Sequence, residues 1–126
     1  MISFKQRYEI NALVDKVWDA LTNPKTIDQW GGGPSKMTDK TGEKFEFWGG
    51  DIYGRNIKVV KNKELVQEWF SGDWKEPSIA TFKVESNGNE TTIKLIHENV
   101  PDKDAKDIDD GWKSYYLGHI KELLDK

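Results

Sequence analysis

The chain has no cysteine, which excludes disulfide frameworks, thiolate nucleophiles and thiolate metal ligands. Histidine is almost as scarce: His97 and His119 stand alone, far apart and without the spacing of a zinc site. Long apolar runs are missing too. No stretch approaches the roughly 18 apolar residues of a membrane span, and the opening MISFKQRYEI lacks the apolar centre of a secretory signal. Nor is there a surplus of positive charge. The 19 Lys and Arg are outnumbered by 22 Asp and Glu, for a net charge of −3, and no basic run offers a footprint for nucleic acid. GGGPSK lacks the Gly-Lys-Ser/Thr ending of a phosphate loop and follows a helical pattern rather than a strand. The expectation is a cytoplasmic protein with no metal, no cofactor, no nucleic-acid partner and no membrane span.

What the chain does have is aromatic rings. Six Trp, five Phe and four Tyr lie among 126 residues of which only 36% are hydrophobic. Each ring system can bury about 150–250 Å², so a few of them supply most of a small core. The length favours one compact domain, residues 1–126, and no repeat, linker or composition break divides it.

ISFKQRYEI alternates, placing Ile2, Phe4, Tyr8 and Ile10 on one face of a strand. Asn11 is a candidate cap for NALVDKVWDALT, whose Leu13, Val14, Val17, Trp18 and Leu21 form a helical stripe. Asn23 and Pro24 suit the start of a second short helix that GGGPS ends. From Ser35 to Val100 the period becomes two, and about six strands are expected. Among their joints, NGN is the strongest hairpin signal. After Pro101 an acid-rich run leads into DDGWKSYYLGHIKELLDK, a helix in which Ile108, Trp112, Tyr115, Tyr116, Ile120, Leu123 and Leu124 recur at helical spacing. Gly111 and Gly118 interrupt it, each at a cost of about 0.8–1 kcal/mol against alanine. The order is β-α-α-β6-α, an α+β fold with an antiparallel sheet packed on its last helix.

Three segments carry a resemblance: VDKVWDALTNPKTIDQW, IHENVP and DDGWKSYYLGHIKELL. In this order they resemble the helix-grip domains of the START-like (SRPBCC) superfamily, and within it the family of the activator of the heat-shock protein 90 ATPase. The resemblance spans essentially the whole chain. It implies a curved sheet wrapped around the C-terminal helix, usually with a cavity between them. It also implies a reason for Gly111, a close approach of the helix start to a loop or the sheet edge. The alternative is that Gly111 lies on the outer face, where its cost is small.

Strand and helix parity then nominate Phe45, Phe47, Arg55, Ile57, Val59, Trp69, Phe82, Leu95, His97, Trp112, Tyr116 and Ile120 as inward-facing. Phe45, Phe47, Arg55, Ile57, Trp69, Phe82, Leu95, His97, Trp112 and Tyr116 are the candidate ligand contacts. Trp30, Trp48 and Trp74 stand beside loops and are candidates for a mouth. An inward Arg55 would need a partner or a ligand anion, unless a bulge after Gly54 turns it outward. An inward His97 could meet a ligand, or could tie the strand end to its surroundings. No residue is nominated as catalytic. The function expected is non-enzymatic binding of a small hydrophobic or aromatic molecule between sheet and C-terminal helix. The alternative implied by the resemblance is a co-chaperone that binds heat-shock protein 90 and stimulates its ATPase. A small enzyme using His97 with Tyr116 is the third reading.

Overall fold

A computed structural model describes residues 1–125. Alternation in the first segment becomes strand β1 (Ile2–Ile10), with its odd positions exposed and Phe4, Tyr8 and Ile10 turned inward. Helix α1 (Val14–Thr22) buries Val17, Trp18, Ala20 and Leu21. Its cap position is Leu13, not Asn11. The Asn11 backbone N–H instead donates to Asp125 Oδ1 at 2.8 Å, joining the end of β1 to the end of the chain. Helix α2 (Pro24–Trp30) starts as its sequence suggests: Asn23 Oδ1 accepts from the Lys25 N–H at 3.0 Å, Pro24 opens the first turn, and Gly31 closes the helix at φ 102°.

Five strands follow rather than six: β2 (Lys44–Phe47), β3 (Ile52–Val60), β4 (Glu64–Ser71), β5 (Ser78–Asn87) and β6 (Glu90–Val100). The segment before β2 contributes only one isolated bridge, Lys36 opposite Glu46. All strands pair antiparallel in the order β1-β6-β5-β4-β3-β2, so the first and last strands in sequence are neighbours. The β5–β6 hairpin turns at Gly88 and Asn89, where Gly88 supplies the left-handed residue at φ 71°. One sheet face is covered and carries Phe45, Phe47, Leu65, Trp69, Phe82 and Leu95, all buried. The other is solvated and carries ion pairs such as Lys58–Glu64.

The chain ends in one helical segment of three parts: α3 (Ala105–Gly111), a π turn (Trp112–Tyr116) and α4 (Leu117–Leu124). In the π turn the Leu117 N–H reaches back to the Trp112 carbonyl. That extra residue lets Trp112, Tyr116, Leu117 and Ile120 all be buried in one stretch. The fold is a helix-grip α+β domain, and no described helix is long and apolar enough to cross a membrane.

Strand β3 corrects two expectations. Its inward parity is set by Ile52 and Asn56, and a bulge between Asn56 and Lys58 inserts one residue before Val59. Arg55 and Ile57 therefore do not share the face of Val59. Arg55 points outward and donates to Glu68 at 2.8 Å, and Ile57 is 41% exposed.

Candidate ligand cavity at the start of the C-terminal helix

The space between sheet and helix is largely occupied by rings. Trp69 of β4 and Trp112 of the π turn stack with centroids 4.6 Å apart and planes 28° from parallel. Tyr116 packs 4.7 Å from Trp112, 4.6 Å from Trp30 and 5.2 Å from Phe47. Phe45 lies 6.4 Å from Trp69, and Phe82 lies 5.4 Å from Trp112. Where the resemblance implied an enclosed cavity, the middle is aromatic core.

Two buried polar threads hold this wall from behind. In one, Asn56 Nδ2 donates to the Thr38 carbonyl at 2.9 Å, Gln67 Nε2 donates to Asn56 Oδ1 at 2.9 Å, and Trp69 Nε1 donates to Gln67 Oε1 at 2.9 Å. In the other, Trp112 Nε1 donates to His97 Nδ1 at 3.0 Å. This acceptor role places the imidazole proton on Nε2, which then donates to Ser78 Oγ at 2.8 Å. Ser78 in turn donates to the Trp69 carbonyl at 3.4 Å, so the second thread returns to the first tryptophan. Burial lowers the His97 pKa to about 3, and the ring is neutral at ordinary pH. Both its nitrogens are committed inside the protein. His97 is a strut between β6, β5 and the helix, without a nitrogen free for a ligand or for proton transfer.

In front of the wall lies a cavity of about 340 Å³. Trp69, Trp112 and Tyr116 form its back, with Ile52 and Trp48 on the sheet side and Asp107, Ile108, Gly111 and Tyr115 on the helix side. Trp48 is fixed in an unusual way. Its backbone sits at φ 51°, a left-handed conformation that a bulky residue rarely adopts. Bonds from its N–H to the Gly32 carbonyl (2.9 Å) and from its Nε1 to the Gly31 carbonyl (2.7 Å) hold it there. Tyr116 keeps one buried polar atom unsatisfied: its hydroxyl has no partner among the described residues, and burial raises its pKa well above the ordinary tyrosine range.

Of the ten nominated contacts, Trp69, Trp112 and Tyr116 line this cavity. Phe45, Phe47, Phe82, Leu95 and His97 lie in the core behind it, and Arg55 and Ile57 are on the outer face. Among the three loop tryptophans only Trp48 reaches the cavity. Trp30 is buried with its Nε1 on the Ala20 carbonyl at 2.9 Å, and Trp74 donates to Asp104 at 2.7 Å. Sequence reading did not nominate Asp107, Ile108 or Tyr115. The signal was available, because Ile108, Trp112 and Tyr115 share one helical stripe. Asn56, Gln67 and Ser78 were passed over as well, although Gln67 has the parity of Leu65 and Trp69.

The glycines divide. A Cβ on Gly111 would meet nothing nearer than Tyr115 at 3.9 Å, so the expected close approach to a loop or sheet edge is absent. A Cβ on Gly118 would lie 1.8 Å from the Lys113 carbonyl oxygen, which the π turn brings underneath it. Gly118 is the glycine that this backbone requires.

Comparison with known proteins is consistent with this fold. The chain belongs to the family described as Activator of Hsp90 ATPase homolog 1-like protein, whose model matches residues 11–125. It is 24% identical over 116 residues to the mouse activator of 90 kDa heat shock protein ATPase homolog 2, an alignment covering 89% of this chain and 34% of that protein. For the human homolog 1 the values are 23% over 113 residues, 87% and 33%. The chain thus spans about a third of the length of the curated relatives it matches. Among solved structures, an HSP90 activator from Plasmodium falciparum superimposes with a TM-score of 0.89 at 27% identity, covering 98% of this chain and 96% of that one. CalU16 from Micromonospora echinospora shares the fold, with a TM-score of 0.79 at 24% identity over 94% of this chain and 74% of that one.

Proposed function

We propose that this protein binds a small apolar or aromatic molecule at the cavity between Trp48 and the start of the C-terminal helix. The observation that carries the reading is an aromatic-lined space whose three tryptophans are held in place by hydrogen bonds within the protein. At about 340 Å³ it falls within the usual size of small-molecule sites, roughly 300–1,000 Å³. Its three indole N–H groups are bonded to protein acceptors, so little ordering remains to be done on binding. A thermal-shift screen of aromatic metabolites, flavonoids, fatty acids and sterols tests it, with Trp fluorescence as the second readout. A ligand at about 100 times its Kd stabilises the fold by about 2.7 kcal/mol. A hit whose fluorescence response is lost in Trp48→Leu supports the cavity; a blank screen on folded protein removes the reading.

A second reading is favoured by the Plasmodium falciparum HSP90 activator, which this chain matches over nearly the whole of both chains. On that reading the protein is a co-chaperone that binds heat-shock protein 90 and stimulates its ATPase. The mammalian activators are about three times as long, so their activity transfers only as a proposal. An unchanged chaperone ATPase rate on adding this protein would remove it. On either reading residues 1–126 work as a single domain, for which resistance to limited proteolysis is the check.

A further inference from the structure

We propose that the occupant of this cavity is an organic cation: a tertiary or quaternary ammonium group carried on a compact apolar or aromatic body. The inference rests on the binding reading above and names the ligand class that the cavity wall fits. The first argument is the inventory of polar groups. The lining contains no Lys, Arg, His, Asn or Gln, and the indole N–H groups of Trp48, Trp69 and Trp112 are spent on Gly31, Gln67 and His97. What remains polar is the Asp107 carboxylate and two tyrosine hydroxyls. An anion entering here would exchange its hydration for tyrosine O–H donors alone, beside a carboxylate and with no cation or free N–H, whereas a quaternary ammonium asks for no hydrogen-bond partner.

The second argument is electrostatic. Aromatic faces attract a cation through the ring quadrupole, and Trp is the strongest of them. Three Trp and two Tyr line this space, with Trp69 and Trp112 stacked on each other at its back. Asp107 stands at its rim without an ion pair or side-chain hydrogen bond among the described residues. The neighbouring Lys106 is engaged by Asp110 at 2.9 Å, and Lys103 by Asp73 at 3.3 Å. From 102 to 110 the sequence has five Asp and two Lys, a local excess of negative charge beside the cavity. Carboxylate and ring walls therefore favour the same sign of ligand.

The test compares three probes of nearly one shape on the intact protein: phenyltrimethylammonium, its neutral isostere tert-butylbenzene, and the anion 4-tert-butylbenzoate. Binding is read by Trp fluorescence and by shifts of the indole N–H signals. Phenyltrimethylammonium is expected to bind about tenfold more tightly than tert-butylbenzene, and 4-tert-butylbenzoate not measurably. Asp107→Asn, at an exposed position, is expected to weaken the cation about threefold, to leave the neutral probe unchanged and to flatten the salt dependence. If tert-butylbenzene binds as well as the cation, the ligand class is overturned while the apolar cavity stands. If no probe shifts the fluorescence or any indole N–H signal, both proposals fall together.

Discussion

The two halves of the C-terminal helical segment carry one glycine each, and the two glycines differ in kind. Gly111 sits at the end of α3 with ordinary helical angles at the cavity edge, where a Cβ would meet only Tyr115 at an ordinary 3.9 Å. Gly118 sits in α4, where the π turn has carried the Lys113 carbonyl under its Cα. The same residue type thus marks an unobstructed position in one half and a forced backbone contact in the other. The lesson is that a glycine in a helical pattern reports only a missing side chain. What the missing Cβ would have touched is decided by the neighbouring backbone.

Gly118→Ala is the sharpest way to break this contrast. In an ordinary helix interior the change gains about 0.8–1 kcal/mol. Here the new methyl group meets a backbone oxygen and the variant is expected to lose roughly 2–3 kcal/mol in urea denaturation. A gain would show that the π turn relaxes to α-helix at no cost and that the two halves are alike.

Trp112→Phe comes next. It keeps a ring in the wall but leaves His97 Nδ1 buried without its donor, for an expected loss of about 2 kcal/mol. Tyr115→Ala, three residues on but 62% exposed, should change stability by no more than about 0.5 kcal/mol. Equal losses at the two positions would dissolve the distinction between a pinned back wall and a free front.

The third prediction concerns pH. Since His97 titrates near 3 in the folded protein and near 6.5 when unfolded, the unfolded chain binds the extra proton between those values. Stability from this group is complete above the unfolded pKa and falls as pH drops from about 6.5 towards 3, by at most about 1.4 kcal/mol per pH unit. Urea midpoints measured between pH 7 and 5 should show the slope in the wild type, and His97→Gln should remove it. A slope that survives the substitution would assign the acid sensitivity elsewhere.

A modest gain is expected from Gly111→Ala. Nothing obstructs the methyl group, so stability should rise by about 0.5–1 kcal/mol. The cavity loses some of its volume, so binding of phenyltrimethylammonium should weaken in the same protein. Stabilisation with unchanged binding would place the ligand away from this edge.

Much of the fold was legible because the sequence repeats each signal many times. Phe45 with Phe47, Ala80 with Phe82 and Val84, and Ile93 with Leu95 and His97 each declare a strand face by parity, and the structure buries all of them. Parity failed where one residue was inserted. The bulge after Asn56 moved Arg55 and Ile57 to the outside, and a single sequence does not distinguish a bulge from a regular strand. The candidate site was less legible for a related reason. Its members come from the β2–β3 turn, from β3 and β4, and from the first turns of the final helix, and their meeting depends on a strained Trp48 and a π turn.

By itself, then, the amino-acid order determined the first strand, the two helices after it, the antiparallel strands and the closing helix in their order, though not their exact number, together with the capped start of α2, the Gly88 hairpin and the aromatic character of the core. These are local matters, fixed by period, turn chemistry and side-chain type within a few residues. Only the tertiary structure decided that the rings fill the middle of the helix grip and leave space at its edge. It also decided that His97 is a strut and that Gly118 is required where Gly111 is not. Each of these depends on contacts between residues distant in sequence or on one added residue in a turn, which a local reading of period and side-chain type does not reach.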